Sequence, residues 1–230
     1  MKKIIQLVLL VSSSFLFSQT EFSFDYLLHY NYVNHIDSTK NETVYYLTNS
    51  KDNSYLARIT NRDSLNLNIL FIKHNYLISD VVVSKNDFQS AELINIECKE
   101  VSSYINRYKY FVNVYDYIKL DKTDSIEKYE IICLKSEKFR KKRKIGKYVL
   151  TFDYTMPFHL PNLIYSTLYE EWNKERDLPN YFLNEISFYT YENKLSTSEY
   201  LVNFIKKDIK IKINTEKCGT FYLEKLIKLK

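Results

Sequence analysis

The sequence predicts a mainly β fold of the α+β class, made of antiparallel strands with little helix. The chain has 230 residues, of which 22 are Tyr and 14 are Phe, but only 2 are Gly and 3 are Pro. This composition favours aromatic-faced strands over tight glycine turns. Apolar and polar residues alternate with a period of two along most of the chain, and only the segment after Pro161 has helical periodicity. A chain of this length fits one domain.

Residues 1–18 are expected to form a secretory signal peptide. Lys2 and Lys3 make a positive n-region, residues 4–11 make an apolar h-region, and the expected cut precedes Gln19. The alternative is an uncleaved membrane anchor, although the apolar run is shorter than the roughly 20 residues that a spanning helix needs. We therefore expect an exported, periplasmic or extracellular protein with a single β-rich domain over residues 19–230 and no transmembrane span after cleavage.

The first half of the mature chain is predicted to form one long strand and two hairpins. In residues 22–32 the even positions are apolar or aromatic and most odd positions are polar, which puts one face of a strand on a core. Residues 44–50 and 55–60 flank a Lys-Asp-Asn-Ser turn, and residues 67–73 and 76–84 flank His74. Asp, Asn and Ser in such turns bond to their own backbone and reverse the chain.

Alternation resumes in the second half, after a polar connection over residues 85–91. Predicted strands cover residues 93–98, 107–120, 129–134, 148–154, 181–191 and 205–214, with a last strand after Gly219. In residues 205–214, Ile205, Ile209, Ile211 and Ile213 are predicted to share one buried face opposite a row of lysines.

A helix is predicted over residues 163–175, with Asn162 as its cap and Pro179 as its stop. Ile164, Leu168 and Trp172 fall on one stripe, which we expect to pack against a sheet. If the sheet encloses a hollow, these three residues are the candidate hydrophobic ligand-binding residues.

A basic run covers residues 135–147, with eight Lys or Arg against one Glu. Loss of two signal-peptide lysines lowers the net charge from +5 to +3, so the rest of the mature chain carries 3 − 7 = −4. The run is either a solvated hairpin turn whose charges discourage edge pairing or an anion-binding surface. The candidate anion-binding residues are Lys138, Arg140, Lys141, Lys142, Arg143 and Lys144. No nucleic-acid module accompanies them, so nucleic acid is not an expected partner.

No catalytic motif is recognisable, and no enzymatic activity is expected. The two glycines, Gly146 and Gly219, lie outside any nucleophile elbow, P-loop or dinucleotide fingerprint. The four histidines are scattered and are interpreted as partly exposed strand or turn residues, so no metal or cofactor is expected. Cys98 and Cys133 are interpreted as buried small hydrophobic residues, although an exported chain with a third cysteine, Cys218, leaves three pairings open.

The order of segments resembles that of secreted Bacteroidota proteins. The carrying strings are FSQ at the expected cut, FDYLLHYNY, KIGKYVLTFDY, FHLPNLIYSTLYEEW and a second LPN. The layout is similar to that of GLPGLI-type and LolA-like envelope proteins, with HLPNLIY and DLPNYF in place of the glycine-containing signature. This resemblance implies a curved antiparallel sheet or half-barrel covered by one or two helices, whose concave side in LolA-like proteins holds acyl chains.

These features favour a non-enzymatic envelope protein that binds a hydrophobic or lipid ligand in a curved β-sheet. The alternative is a scaffold or interaction protein that docks on an anionic envelope component through residues 135–147. An enzyme of unfamiliar design ranks third, and polar groups with perturbed pKa values in one cleft would indicate it.

Overall fold

The structure is a computed structural model that describes residues 19–74, 77–98, 100–101, 114–135, 143–175, 178–214 and 219–220. These residues form mainly strands, together with two α-helices and one 3-10 turn. The strands are β1 Gln19–Asn34, β2 Glu42–Asn49, β3 Asp52–Asn61, β4 Asn66–Lys73, β5 Leu77–Ser84, β6 Leu93–Glu97, β7 Glu100–Val101, β8 Val114–Lys122, β9 Ile126–Lys135, β10 Arg143–Asp153, β11 Leu183–Thr190, β12 Leu195–Asn214 and β13 Gly219–Thr220. The helices are α1 Lys85–Ser90 and α2 Ser166–Glu175, and the 3-10 turn is Ser38–Lys40.

The strands form one sheet in the order β13-β7-β5-β4-β3-β2-β1-β12-β11-β10-β9-β8, with β6 also paired to β12. Neighbours are antiparallel except for the β6–β12 and β7–β13 pairs, which are parallel. Ser79 of β5 donates a hydrogen bond to the Glu97 carbonyl of β6 at 2.7 Å, so β6 contacts β5 as well as β12. The predicted mainly β fold with a curved antiparallel sheet and few helices is therefore confirmed.

Three apolar clusters stabilise the two sides of this sheet. The first lies among β1–β6 and the second half of β12, and it is filled by side chains such as Phe22, Phe71 and Ile211. The second joins α2 to β9, β10 and β11. The third covers the other side of β1–β3, where Phe182 packs on Tyr26 and Phe204 with ring centroids 5.2 and 4.6 Å apart.

The predicted helix exists, but its predicted start was three residues too early. Helix α2 begins at Ser166, and Asn162 is a buried residue of the extended segment before it. That segment is fixed to the β2–β3 turn, because Leu160 N donates to Ser50 O at 3.0 Å and Asn53 Nδ2 donates to Pro161 O at 2.9 Å. These long-range bonds hold the backbone extended where the local pattern favours helix.

Helix α1 was not predicted from the sequence, because its six residues are too few to establish a period. Ser84 caps it by accepting a hydrogen bond from Asp87 N at 3.0 Å, and Phe88 is its buried residue. Neither helix in the described part of the chain is long and apolar enough to cross a membrane.

The predicted buried face of β12 is correct for Ile209, Ile211 and Ile213 but wrong for Ile205, which is 53% exposed. The pairing of β12 with β1 shifts register between Ile209 and Lys206. Such a β-bulge adds a residue to one strand and reverses which side chains face the core.

The interpretation as a buried small hydrophobic residue is confirmed for Cys133 but only in part for Cys98. Cys133 is a free, buried thiol, as expected, and burial raises its pKa to about 12. Cys98, interpreted as a buried hydrophobic residue, is buried but disulfide-bonded. Cys218 lies outside the described residues. Three scattered cysteines give no sequence pattern from which the bonding state of any one of them follows.

Candidate functional site

Strand register brings a group of polar side chains to one side of the sheet. Strand β1 lies between β12 and β2, and its Tyr32 is directly opposite Glu199 of β12 and Glu42 of β2. Tyr46 of β2 lies opposite Arg58 of β3. Directly opposite residues share a face of the sheet, so these five side chains line one surface.

A pocket of about 540 Å³ lies over this surface, and we call it the tyrosine pocket. The sheet contributes the five residues above, the 3-10 turn contributes Thr39 and Lys40, and Asn41 follows that turn. Ile164 and Tyr165, which immediately precede α2, form the opposite wall. The site therefore lies where strands β1, β2, β3 and β12 meet the 3-10 turn and the segment before α2.

Glu199 and Tyr46 form the polar floor of the tyrosine pocket. The Tyr46 hydroxyl donates to Glu199 Oε2 at 3.0 Å, with Oε1 at 3.3 Å. Arg58 Nη2 binds Glu42 Oε1 at 2.8 Å, so the guanidinium is ion-paired with the carboxylate at the rim. The pocket thus holds the Glu199 carboxylate on its floor and the Arg58–Glu42 ion pair, whose carboxylate lies at the rim.

Burial perturbs both floor residues. It raises the pKa of the Tyr46 hydroxyl well above its usual value, and the nearby Glu199 charge raises it further. Burial also raises the pKa of the Glu199 carboxyl, although the Tyr46 hydrogen bond and Arg58 act in the opposite direction. Tyr46 therefore stays protonated near neutral pH and serves as a fixed hydrogen-bond donor.

The tyrosine pocket combines an apolar wall with fixed polar groups on one side. Ile164 and the rings of Tyr32 and Tyr165 offer apolar surface, and Tyr165 is 47% exposed. Glu199 and Arg58 offer an acceptor and donors that are already held in place. The lining is more polar than apolar, so the apolar wall offers a limited contact surface and the fixed polar groups supply orientation.

The three predicted ligand-binding residues do not line one cavity. Ile164 lines the tyrosine pocket, whereas Leu168 and Trp172 are 0% and 3% exposed and pack in the cluster with Ile131 and Phe152. The expected packing of Leu168 and Trp172 against the sheet is thus confirmed. They stabilise α2 and hold Ile164 and Tyr165 over the pocket from one end of the helix.

The predicted basic run connects two paired strands, since β9 and β10 are antiparallel with Arg143 opposite Lys135. Of the candidate anion-binding residues, Lys138, Arg140, Lys141 and Lys142 lie outside the described part of the chain, and only the backbone of Arg143 is described. Lys144 Nζ lies 3.2 Å from Asn193 Oδ1. Anion binding by this run therefore stays a prediction.

Two histidines differ from the expectation of partial exposure. His74 and His159 are buried, and burial lowers the pKa of each imidazole to about 4. His159 Nδ1 donates to the Leu160 carbonyl, so Nε2 accepts from Thr48 Oγ1 at 2.9 Å. His74 stacks on Tyr169 with centroids 4.4 Å apart. Both imidazoles join the extended segment or α2 to the sheet.

One serine contacts a histidine at the end of β1. His35 Nε2 lies 3.2 Å from Ser198 Oγ, which is 2.9 Å from Ser187 Oγ. Ser198 is only 1% exposed, so no substrate reaches its hydroxyl in this conformation. Within the described ranges, no group of three or more His, Cys, Asp or Glu is placed to hold a metal ion.

The chain matches no protein-family model and no curated protein.

Proposed function

We propose that the protein is an exported, non-catalytic binding protein of the bacterial envelope that holds a small amphipathic ligand in the tyrosine pocket. The observation that carries this proposal is the meeting of an apolar wall, formed by Ile164 and Tyr165, with the Tyr46–Glu199 hydrogen bond. An amphipathic ligand places its apolar part on the wall and its polar end on the floor.

The proposed ligand is smaller and more polar than the hydrophobic or lipid ligand expected from the sequence. Aromatic side chains such as Phe22, Phe24 and Phe71 fill the space between the curved strands, and all three are buried. A long acyl chain there would have to displace close-packed rings. The tyrosine pocket, on the other side of β1–β3, already has open volume.

Tyr46 and Glu199 both have raised pKa values in this cleft, which is the pattern named above as indicating an enzyme, so the preference for a binding role depends on the Tyr46 hydroxyl. Burial moves the Tyr46 pKa away from neutrality, which suits a permanent hydrogen-bond donor rather than a proton carrier. The contact between Ser198 and His35 is part-buried, with His35 exposed, and neither residue lines the pocket. Export is supported by the predicted signal peptide and by the Cys98 disulfide, since disulfides persist in oxidising compartments.

The test uses native mass spectrometry of protein purified without unfolding from an oxidising bacterial compartment. Ile164→Trp fills the tyrosine pocket with an indole, whereas Phe158→Trp places the same residue at an exposed position on the same segment. Wild type and Phe158→Trp should carry extra small-molecule mass, and Ile164→Trp should not. Equal bound mass in both variants, or none in wild type, would refute the proposal.

A second candidate function is docking on an anionic envelope surface through residues 135–147. The antiparallel β9–β10 pairing favours it, because the basic run then joins the ends of two neighbouring strands. Replacement of residues 140–144 by Ser should abolish salt-sensitive binding to anionic liposomes. Unchanged binding would reject this function.

A further inference from the structure

The charged side chains that line the tyrosine pocket differ in whether they have an ion pair. Arg58 is ion-paired with Glu42 at 2.8 Å, and Lys40 is ion-paired with Asp37 at 3.2 Å. Within the described part of the chain, Glu199 has no ion pair, and its oxygens accept the Tyr46 hydroxyl. Two basic and two acidic side chains line the pocket, and Glu199 is the acidic one that no described ion pair neutralises, although the Arg58 charge lowers its pKa.

The surface around this carboxylate is aromatic. Tyr32 lies directly opposite Glu199 in the sheet, Tyr46 binds it, and Tyr165 faces them from the segment before α2. Tyrosine rings attract cations through the negative electrostatic potential of their faces, and carboxylates attract them through net charge. Together these groups favour a cation whose charge is spread over an organic surface.

We infer that the ligand of the tyrosine pocket presents an organic ammonium group to Glu199, from a primary amine to a quaternary ammonium. This inference rests on the proposed function, because it names the polar end of the same ligand. An ammonium supplies the positive charge that Glu199 lacks, and its carbon substituents contact the tyrosine rings and Ile164. A phosphate or carboxylate end is disfavoured, since it would have to displace Glu42 from Arg58, which is the less exposed of the two cations in the pocket.

A matched pair of probes separates charge from shape. Choline and 3,3-dimethylbutan-1-ol have nearly the same shape, but only choline is charged. Isothermal titration of the protein should give an affinity for choline on the order of 10-fold higher than for the alcohol. Glu199→Gln, which still accepts the Tyr46 hydrogen bond, should remove this preference, so that the two probes bind with similar affinity.

A second variant guards against misfolding of Glu199→Gln. Tyr165→Leu changes a residue that is 47% exposed and whose ring centroid lies 5.4 Å from that of Tyr148. It should weaken choline binding several-fold, and a cooperative thermal transition checks that the variant is folded. Equal affinities for choline and the alcohol in wild type, or an undiminished preference in Glu199→Gln, would overturn the inference.

The two proposals fail in different ways. If both probes bind equally and Ile164→Trp blocks both, the pocket is a binding site but not an ammonium site. If neither probe binds, the ammonium inference fails, and the mass measurement on purified protein decides the proposed function separately.

Ammonium groups occur on lipids and on free amines, and a third experiment distinguishes these sources. Retention on phosphatidylglycerol vesicles only when they contain phosphatidylethanolamine would assign a lipid headgroup. Choline binding without such retention would assign a free amine, and both results support ammonium recognition.

Discussion

Acidification should destabilise the protein through His74 and His159. Burial lowers the pKa of each imidazole from 6.5 to about 4. Both side chains are therefore neutral in the folded state at pH 5 to 7 and take up protons when the chain unfolds. Their contribution to stability is complete above pH 6.5 and is lost as the pH falls toward 4.

The magnitude follows from the pKa difference. Each histidine gives a slope of up to about 1.4 kcal/mol per pH unit in this window, which amounts to roughly 2 kcal/mol between pH 7 and pH 5. The two histidines together should lower the free energy of unfolding by about 4 kcal/mol. Glu199 acts in the opposite sense, because burial raises its pKa and protonation relieves the cost of burying its charge.

The assay is urea unfolding at pH 7, 6 and 5, followed by the fluorescence of the buried Trp172. His159→Phe keeps an aromatic ring beside Phe182, whose centroid lies 4.6 Å from that of His159, but it cannot titrate. Loss of the Thr48 partner costs about 1–3 kcal/mol at every pH, so the pH slope is the readout. The slope should fall by about half relative to wild type. An unchanged slope in His159→Phe would refute a neutral, buried imidazole.

Three further predictions concern stability. Cys98→Ser should lower the free energy of unfolding by about 2–5 kcal/mol and make the thermal midpoint insensitive to reductant. Cys133→Ser should keep the reductant sensitivity of wild type, because Cys133 is a free thiol. Equal behaviour of the two variants would contradict the disulfide. Gly146→Ala should lower the free energy of unfolding, measured in urea, by about 1–3 kcal/mol. The reason is that a Cβ at this position would lie 2.6 Å from Tyr189 O and 2.8 Å from Phe188 Cζ. An unchanged stability would show that β10 and β11 lie further apart. Leu168→Ala should lower the free energy of unfolding, followed by circular dichroism, by about 2–5 kcal/mol. Asn173→Ala, at an exposed position on the same helix, should change it by less than about 0.5 kcal/mol. Similar effects of the two substitutions would argue against the packing of α2.

Local patterns predicted the parts of the fold that depend on local physics. Alternation in residues 22–32 predicted β1, and the Lys-Asp-Asn-Ser turn predicted the β2–β3 hairpin, which pairs Val44 with Thr60. The stripe that contains Leu168 and Trp172 predicted helix α2 and its buried face. In each case neighbouring residues determine both the element and the side that is buried.

Features set by distant contacts were predicted less well. The exposure of Ile205 depends on a bulge against β1, and the extended state of residues 160–162 depends on hydrogen bonds to Ser50 and Asn53. Neither contact has a local sequence signal.

The tyrosine pocket required long-range register. Tyr32, Tyr46 and Glu199 come together only because β1 pairs with both β2 and β12. The sequence features that could have indicated the pocket are polar residues within predicted or observed strands. Examples are Arg58 in YLARIT and Glu199 in the part of β12 that precedes the alternating residues 205–214. Such residues indicate a polar contact on a buried face, but they do not name its partner.

The most direct test of the tyrosine pocket is a crystal structure of the protein purified, without unfolding, from an oxidising bacterial compartment. We expect non-protein electron density that contacts Tyr165 on one side and Glu199 on the other, and the loss of this density in Ile164→Trp. Ordered water alone in the pocket, with a bound molecule elsewhere on the sheet or with none at all, would contradict it.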